Sequence, residues 1–424
     1  MKNAFANVRT DELNIKFPQS ILRETEIYAR GNGIRSEFER DYTRLLHCRA
    51  YRRLRHKTQV FFAPHNDHVC TRMEHVGHVA SVATTIAKYL GLNAELTEAI
   101  AIGHDIGHAP FGHSGEDILN SFLVQKEGAG APKKFWHERN SLFFADFIET
   151  LDDPNGIKRN LNLTYAVRDG LICHCGEIDQ QGIRPRNDAI NLYDIKKPGV
   201  IQPFTWEGCV VKLSDKIAFL GRDIEDARMY HILDMGSYRQ LREIVVETLG
   251  GRKNPPAASH RSGRAVNTTV LINDLIVDLC NNSNPEDGLY FSECYSHFIT
   301  ELKKFSFANI YNHWRLREFQ NYAQNVLETI YRTLMRTQPY AKHGRIPFVM
   351  NSYPKLGSTF EEWLICYSNY ADISGNNLRK NLRYETSTVF DIFDNESYQK
   401  CVVEYISGMT DQFAIECFNE IISF

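Results

Sequence analysis

Apolar residues recur three and four positions apart through most of the chain, while strict alternation of apolar and polar residues is scarce, so the pattern predicts helices rather than strands. The periodic runs lie at about 36–57, 74–90, 94–106, 114–126, 137–151, 162–174 and 206–234, and together they predict a first helical body. Periodicity stops in Lys253–Val266, where Pro, Ser and basic residues cluster, and this stretch reads as a loop or linker. It resumes near 268–282, 287–305, 311–338 and 396–422, with a short β excursion expected around Ile346–Tyr353. The expected fold is all-α. Residues 1–250 form the main body and carry a basic helix near the N-terminus, 251–267 form a linker, and 268–424 form a helical region packed on that body.

At 424 residues the chain is long for a single core, which fits a main helical body with large appendages or two closely packed bodies. A hydrophobic content of 43% with 24% charged residues is that of an ordinary globular protein and excludes a disordered or fibrous chain. The net charge of −3 sets up no global positive field toward nucleic acid or an anionic membrane, so any anion site must be local. The first residues lack a continuous apolar stretch, and no run of eighteen or more apolar residues follows; both point to the cytoplasm and away from a membrane. The ten cysteines, scattered without a secretory leader, predict reduced and mostly buried thiols. Cys173-His174-Cys175 has too short a gap for a structural zinc site and reads as thiols packed on a helix. Gly31-Asn32-Gly33 is too weak a signal to mean phosphate binding.

The strongest chemical signal is the run from Gly103 to Glu116, GHDIGHAPFGHSGE, where an apolar helix meets a turn rich in His, Gly and Pro. His104 and Asp105 at a helix end can aim a nitrogen and an oxygen at one ion. His75 adds an imidazole and Asp215 a carboxylate. Two histidines with two carboxylates leave open positions on a divalent ion for water and a phosphate oxygen. A single histidine of the 16 is more often an ordinary core or surface residue; the ordered set is what favours a site. His113 and Glu116, three apart, share a helix face, so the carboxylate can orient the imidazole or receive its proton. Asp215, Phe219 and Asp223, spaced by four, form one helical stripe.

The same order of residues resembles the HD superfamily of phosphohydrolases and, within it, the dGTPase or dNTP triphosphohydrolase branch. The likeness is carried by Ser36-Glu37-Phe38, Arg49–Leu54, Lys57–Phe61, Arg72–His75, Gly103–Glu116, Phe135–Glu138, Glu207–Phe219, Asp223–Ala227 and Tyr405–Asp411. It is continuous over 35–227 and sparse between about 230 and 400. The resemblance implies His75, His104, Asp105 and Asp215 as ligands of a divalent metal such as Mn, Mg or Fe, and His113 with Glu116 as the catalytic pair. It implies Gln59 and Asp223 at the deoxyribose 3′-hydroxyl and Arg72 and Lys216 at the phosphates, with His108 and His137 near the leaving triphosphate or packed behind it. Phe219 stands where many members carry Tyr, which removes one hydroxyl from the sugar pocket.

The implied reaction is hydrolysis of a dNTP, dGTP foremost, to deoxynucleoside and tripolyphosphate by attack of water at the α-phosphorus. Implied partners are the dNTP, further copies of the chain in a dimer, tetramer or hexamer, and a nucleotide or ssDNA effector. Arg44, Arg49, Arg52, Arg53, Arg55 and Lys57 are spread around several faces of the basic helix, some for such an effector or subunit contact and some as solvated surface. Two other readings remain. One is an HD phosphohydrolase acting as a nucleotide phosphatase or phosphodiesterase. The other is a nucleotide-binding regulator, which the presence of both His113 and Glu116 disfavours.

Overall fold

A computed structural model describes residues 2–26, 33–62, 70–123, 135–175, 182–250, 267–346 and 351–423. The longer helices are α1 (Glu37–His47), α2 (Arg72–Leu90), α3 (Ala94–Gly103), α4 (Gly112–Leu123), α5 (His137–Phe143), α6 (Tyr165–Cys173) and α7 (Trp206–Met229). The second half adds α8 (Met235–Leu249), α9 (Thr268–Asn282), α10 (Glu293–Ser306), α11 (Trp314–Met335), α12 (Pro354–Tyr367), α13 (Asn395–Ser407) and α14 (Asp411–Ile422). Among the described residues the one sheet is a two-stranded antiparallel hairpin, β1 (Thr150–Asp152) on β2 (Lys158–Asn160). The fold is all-α, as the apolar periodicity predicts.

Helix starts follow their capping residues. Thr71 and Glu74 form a reciprocal capping box at the start of α2, and Ser36 with Glu39 does the same for α1. The expected single helix over 36–57 breaks at Cys48, whose extended backbone lets its sulfur accept from the Tyr51 amide and start a short second helix. The expected helix over 137–151 gives way after Phe143 to a π-turn and then to the hairpin. The run over 396–422 is two helices, because Gly408-Met409-Thr410 interrupts it and the Thr410 hydroxyl caps α14 at Phe413. Helices α8 and α12 were not anticipated. Of the expected β excursion, Ile346 is helical and 351–353 form a turn and bend, with 347–350 outside the described residues. The linker Lys253–Val266 and Gly31-Asn32 also lie outside them.

In the core, α2 packs on α3 and α7, and α3 on α1 and α6. Helices α3 and α6 approach closely because each presents a glycine: a Cβ on Gly170 would fall 2.5 Å from Ile100, and one on Gly103 2.8 Å from Leu171. Their C-terminal ends therefore meet. The C-terminal helices seat on the same body, α11 against α4, α13 and α14, with Phe122 of α4 stacked on Tyr331 of α11 at 4.1 Å. The main apolar core runs through both halves, and a smaller cluster around Leu142, Tyr165, Ile172 and Phe204 lies apart from it.

Of the basic cluster, Arg53 pairs with Glu149 at 2.8 Å and Lys57 is buried, while Arg49, Arg52 and Arg55 are exposed. No disulfide forms among the described cysteines. No helix among the described residues is long and apolar enough to cross a membrane.

One long-range tie bears directly on the His-rich turn. The buried Asp411 carboxylate accepts from the amides of Thr58 (2.9 Å) and Phe111 (2.8 Å), while the Lys57 ammonium donates to the carbonyls of His108 and Ser407. Phe111 and Gly112 both adopt left-handed backbone (φ 62° and 64°), a conformation that costs a non-glycine residue about 1–2 kcal/mol and needs such outside support. Asp411→Ala strands one buried and one part-buried amide and removes the carboxylate next to Lys57, and the expected loss is roughly 3–5 kcal/mol. Thermal and urea unfolding of the variant measure it; a change within 0.5 kcal/mol, the size of an ordinary surface substitution, would show that the tie is incidental.

Candidate active site

Most of the candidate metal and catalytic residues sit at a helix end or one turn inside it. Arg72 and His75 occupy the first turn of α2; His104 and Asp105 follow α3; His113 and Glu116 open α4; His137 and Glu138 open α5; Asp215 lies midway along α7. The structure brings these together. The His75 Nε2 is 2.9 Å from Asp215 Oδ1, and the His104 Nε2 is 4.0 Å from the same oxygen and 3.7 Å from Asp105 Oδ1. The His75 and His104 rings lie 5.6 Å apart.

These four residues fit a divalent cation. The His104 Nδ1 donates to the Ala101 carbonyl at 2.7 Å, which fixes the tautomer and leaves the lone pair on Nε2. That Nε2 is buried without a partner. Its 3.7 and 4.0 Å separations are too long for hydrogen bonds. They suit neighbours around one ion, since two ligands each about 2.1 Å from a metal stand roughly 3–4 Å apart. Asp105 divides its two oxygens: Oδ2 accepts from Arg72 Nη1 at 2.9 Å, and Oδ1 faces the imidazoles. Against the cost of burial, His104 and then Arg72 hold the Asp105 carboxyl well below the ordinary carboxylate range. Asp215 is likewise held low, against burial, chiefly by His75.

The imidazoles next to this group divide into exposed and buried members. His113 is 70% exposed, with its Nδ1 3.4 Å from Glu116 Oε2. Glu116 is bound more tightly to His137, accepting from its amide at 3.1 Å and from its Nδ1 at 3.0 Å. His137 Nε2 in turn faces Glu138 Oε1 (3.4 Å) and Asp105 Oδ1 (3.7 Å). Burial alone would lower the His137 pKa, but Glu138, Glu116 and Asp105 outweigh it and bring it to about 10. His108, stacked on His137 at 4.5 Å between ring centres, is held neutral by burial and by Arg72.

The substrate-binding expectations are placed as follows. Arg72 is buried, with its guanidinium on Asp105, the Thr58 carbonyl (3.2 Å) and the Gln59 carbonyl (3.3 Å), so its donors here orient the carboxylate ligand. Gln59 is buried and its side-chain oxygen has no partner. Lys216 and Phe219 lie half-buried just past Asp215 on α7. Asp223, two turns beyond Asp215, is buried and accepts from the Tyr311 hydroxyl. Burial raises its pKa to about 6, against the Tyr311 hydrogen bond and the charges of His75 and Arg72.

A carboxylate whose folded pKa exceeds its unfolded value costs stability once pH passes the unfolded value, and the cost is complete above the folded pKa. Asp223→Asn is therefore expected to stabilise the fold by about 2–3 kcal/mol above pH 7 and by almost nothing near pH 4. Melts of both proteins at those pH values check the sign; equal gains at both would show that desolvation of Asp223 is not the cause.

Two residues escaped the sequence reading. Tyr311 brings to Asp223 a hydroxyl from the second half of the chain. His174, set aside as part of a cysteine run, stands directly past α6 with its ring 4.9 Å from His104 and 5.9 Å from His137. A signal was present: a histidine following an apolar helix is also the context of His104.

Residues 72–220 match the family model of the HD domain, and 289–343 match that of the phosphohydrolase-associated domain. A deoxyguanosinetriphosphate triphosphohydrolase-like protein of Caldanaerobacter subterraneus subsp. tengcongensis is 30% identical over 388 residues, 92% of this chain and 85% of that one. One from Clostridium tetani is 32% identical over 92% of this chain and 86% of its own. One from Desulfatibacillum aliphaticivorans is 36% identical over 66% and 67%. With the His, His-Asp, Asp group assembled on helices of the matched segment, the chain belongs to the HD-domain family of deoxyguanosinetriphosphate triphosphohydrolase-like proteins.

Proposed function

We propose that this protein hydrolyses deoxynucleoside triphosphates, dGTP foremost, to deoxynucleoside and tripolyphosphate. The observation that carries the reading is the convergence of His75, His104, Asp105 and Asp215 beside His113 and Glu116. The preference for dGTP rests on the names of the relatives. A divalent cation, Mn, Mg or Fe, bound by those four residues would offset charge on the phosphoryl oxygens.

The chain's own groups divide the remaining work. His113, exposed at the start of α4, takes a proton from the attacking water, and Glu116 steadies the imidazolium. The hydroxide adds to the α-phosphorus, the bond from phosphorus to the 5′-oxygen breaks, and that oxygen receives a proton as the nucleoside leaves. His137, charged between carboxylates, and Lys216 hold the polyphosphate, with His108 backing His137. Arg72 orients Asp105. Asp223, with Tyr311 behind it, and Gln59 accept and donate at the 3′-hydroxyl, and Phe219 lines the sugar. By the same family likeness, we place the protein in the cytoplasm as a homo-oligomer open to a nucleotide or ssDNA effector.

The test is turnover of all four dNTPs with Mn or Mg, with products separated. Tripolyphosphate in equal amount to deoxynucleoside supports the reading. Release of orthophosphate, opening of a cyclic nucleotide without dNTP turnover, or dNTP binding without turnover overturns it.

A further inference from the structure

Lys57 is 2% exposed, and its ammonium donates to two carbonyls, that of His108 and, at 2.8 Å, that of Ser407. Burying an ammonium is costly, and an apolar side chain would fill the same space without that penalty. The segments that this one joins account for its presence.

The backbone of Lys57 supports α2. Its carbonyl accepts from the amide of Arg72, the first residue of that helix, at 3.0 Å, and the next two carbonyls, of Thr58 and Gln59, accept from the Arg72 guanidinium. The start of α2, which carries His75, is thereby seated on residues 57–59. The side chain of Lys57 reaches instead into the His-rich turn, where the His108 carbonyl it holds lies a short way before His113. From α5, the Asn140 side chain donates to the neighbouring Gly107 carbonyl at 2.7 Å and to the Ser407 hydroxyl at 3.1 Å, so the same stretch of turn is also held from that helix.

These contacts divide the metal ligands from the base. Asp105 is tied to α2 through Arg72 at 2.9 Å, a pair that does not involve Lys57. Past Asp105 the chain reaches His113 through Phe111 and Gly112, both left-handed, with Lys57 on the His108 carbonyl and Asp411 on the Phe111 amide. His113 itself is 70% exposed, so side-chain packing does little to fix it and its place follows from the backbone of the turn.

We propose that Lys57 is a positioning residue for the reaction. It sets the spacing between His75 at the start of α2 and His113 at the end of the turn, and so between the cation and the group that takes the proton from water. An ammonium suits the task, since it offers three donors and no acceptor and serves both carbonyls at once. Its loss leaves the ligand set assembled but lets the base shift, and a misplacement of about 1 Å is enough to lower a rate by roughly 10²-fold. The inference rests on the metal-dependent reading above, not on the identity of the substrate.

The experiment uses the full-length protein, labelled with carbon-13 at histidine Cε1 and loaded with Mn(II). Electron–nuclear double resonance reads the dipolar coupling between the ion and His113, and a His113→Gln protein identifies that signal. For Lys57→Met the expected result is a weaker, broadened coupling and a kcat about 10²-fold lower, with Mn content and KM unchanged. Lys57→Arg, which retains charge and donors, stays closer to the unmodified protein in both readings. A folded Lys57→Met protein with the same coupling, or with the same kcat, overturns the proposal. So does loss of Mn in step with kcat, which would make Lys57 a support of the metal ligands, and so does a folded Lys57→Arg protein as impaired as Lys57→Met. If Lys57→Met does not fold, Lys57→Gln is read in its place; if neither folds, Lys57 serves the fold and the proposal is lost. An unmodified protein that releases no tripolyphosphate removes the substrate reading, and coupling and Mn content then decide the role of Lys57 by themselves.

Discussion

Asp105→Asn is expected to lower turnover by at least roughly 10³-fold and to deplete bound metal, with the fold retained. A single donor to a transition-state oxyanion is typically worth about 10²–10³, and loss of the cation that Asp105 would help to hold removes more charge stabilisation than one such donor supplies. Its Oδ1 faces His104 and His137, and its Oδ2 pairs with Arg72. The choice of Asn matters because Arg72 is buried. Truncation to Ala would leave its guanidinium without the carboxylate, and breaking a buried pair costs about 3–5 kcal/mol, so lost activity would be confounded with unfolding. Metal content, thermal melting and dNTP turnover of the variant separate the two. Metal and turnover near those of the unmodified protein would sink the assignment of the cation to this cluster.

The second large effect is expected at His113. His113→Ala should cut turnover by about 10²–10⁴, the usual range for a general base, while metal content and dNTP binding stay as they were. The side chain is 70% exposed and bears none of the core, so a stability change beyond a few tenths of a kcal/mol is not expected. The geometry sharpens the comparison, because Glu116 binds His137 more closely than it faces His113. If His113→Ala turns over normally, the proton acceptor is not His113; His137, held charged by its carboxylates, cannot take that role. Rapid-quench measurement of one turnover distinguishes loss of chemistry from slowed product release.

Much of the helical content was legible, for reasons that can be named residue by residue. The start of α2 is written locally, since Thr71 and Glu74 are three apart and an apolar run follows. The helix ends were harder. At Cys48 the chain breaks between His47 and Arg49 with neither Gly nor Pro, and strands of three residues, as in β1 and β2, leave too short a period to detect. Among site residues, the ordered His, His-Asp, Asp set was legible because each lies next to recognisable neighbours.

His174 and Tyr311 were not legible, because their positions depend on how distant segments pack. His174 reaches the cluster only because Gly103 and Gly170 let α3 and α6 cross closely. Tyr311 reaches Asp223 only because the second half folds back on α7. Arg72 shows the converse: its type suits a phosphate, but its surroundings engage it with Asp105 and two backbone carbonyls.

The tie from Asp411 and Ser407 to Thr58, Lys57 and the Phe111 turn spans 300 to 353 positions of sequence. Until the ribosome has added Ser407 and Asp411, the turn that presents His113 lacks these anchors, because they lie some three hundred residues downstream of it. Domains otherwise fold as they emerge; here competence for chemistry waits on synthesis through Asp411, and a product terminated before it would be inert however well its first helices had formed.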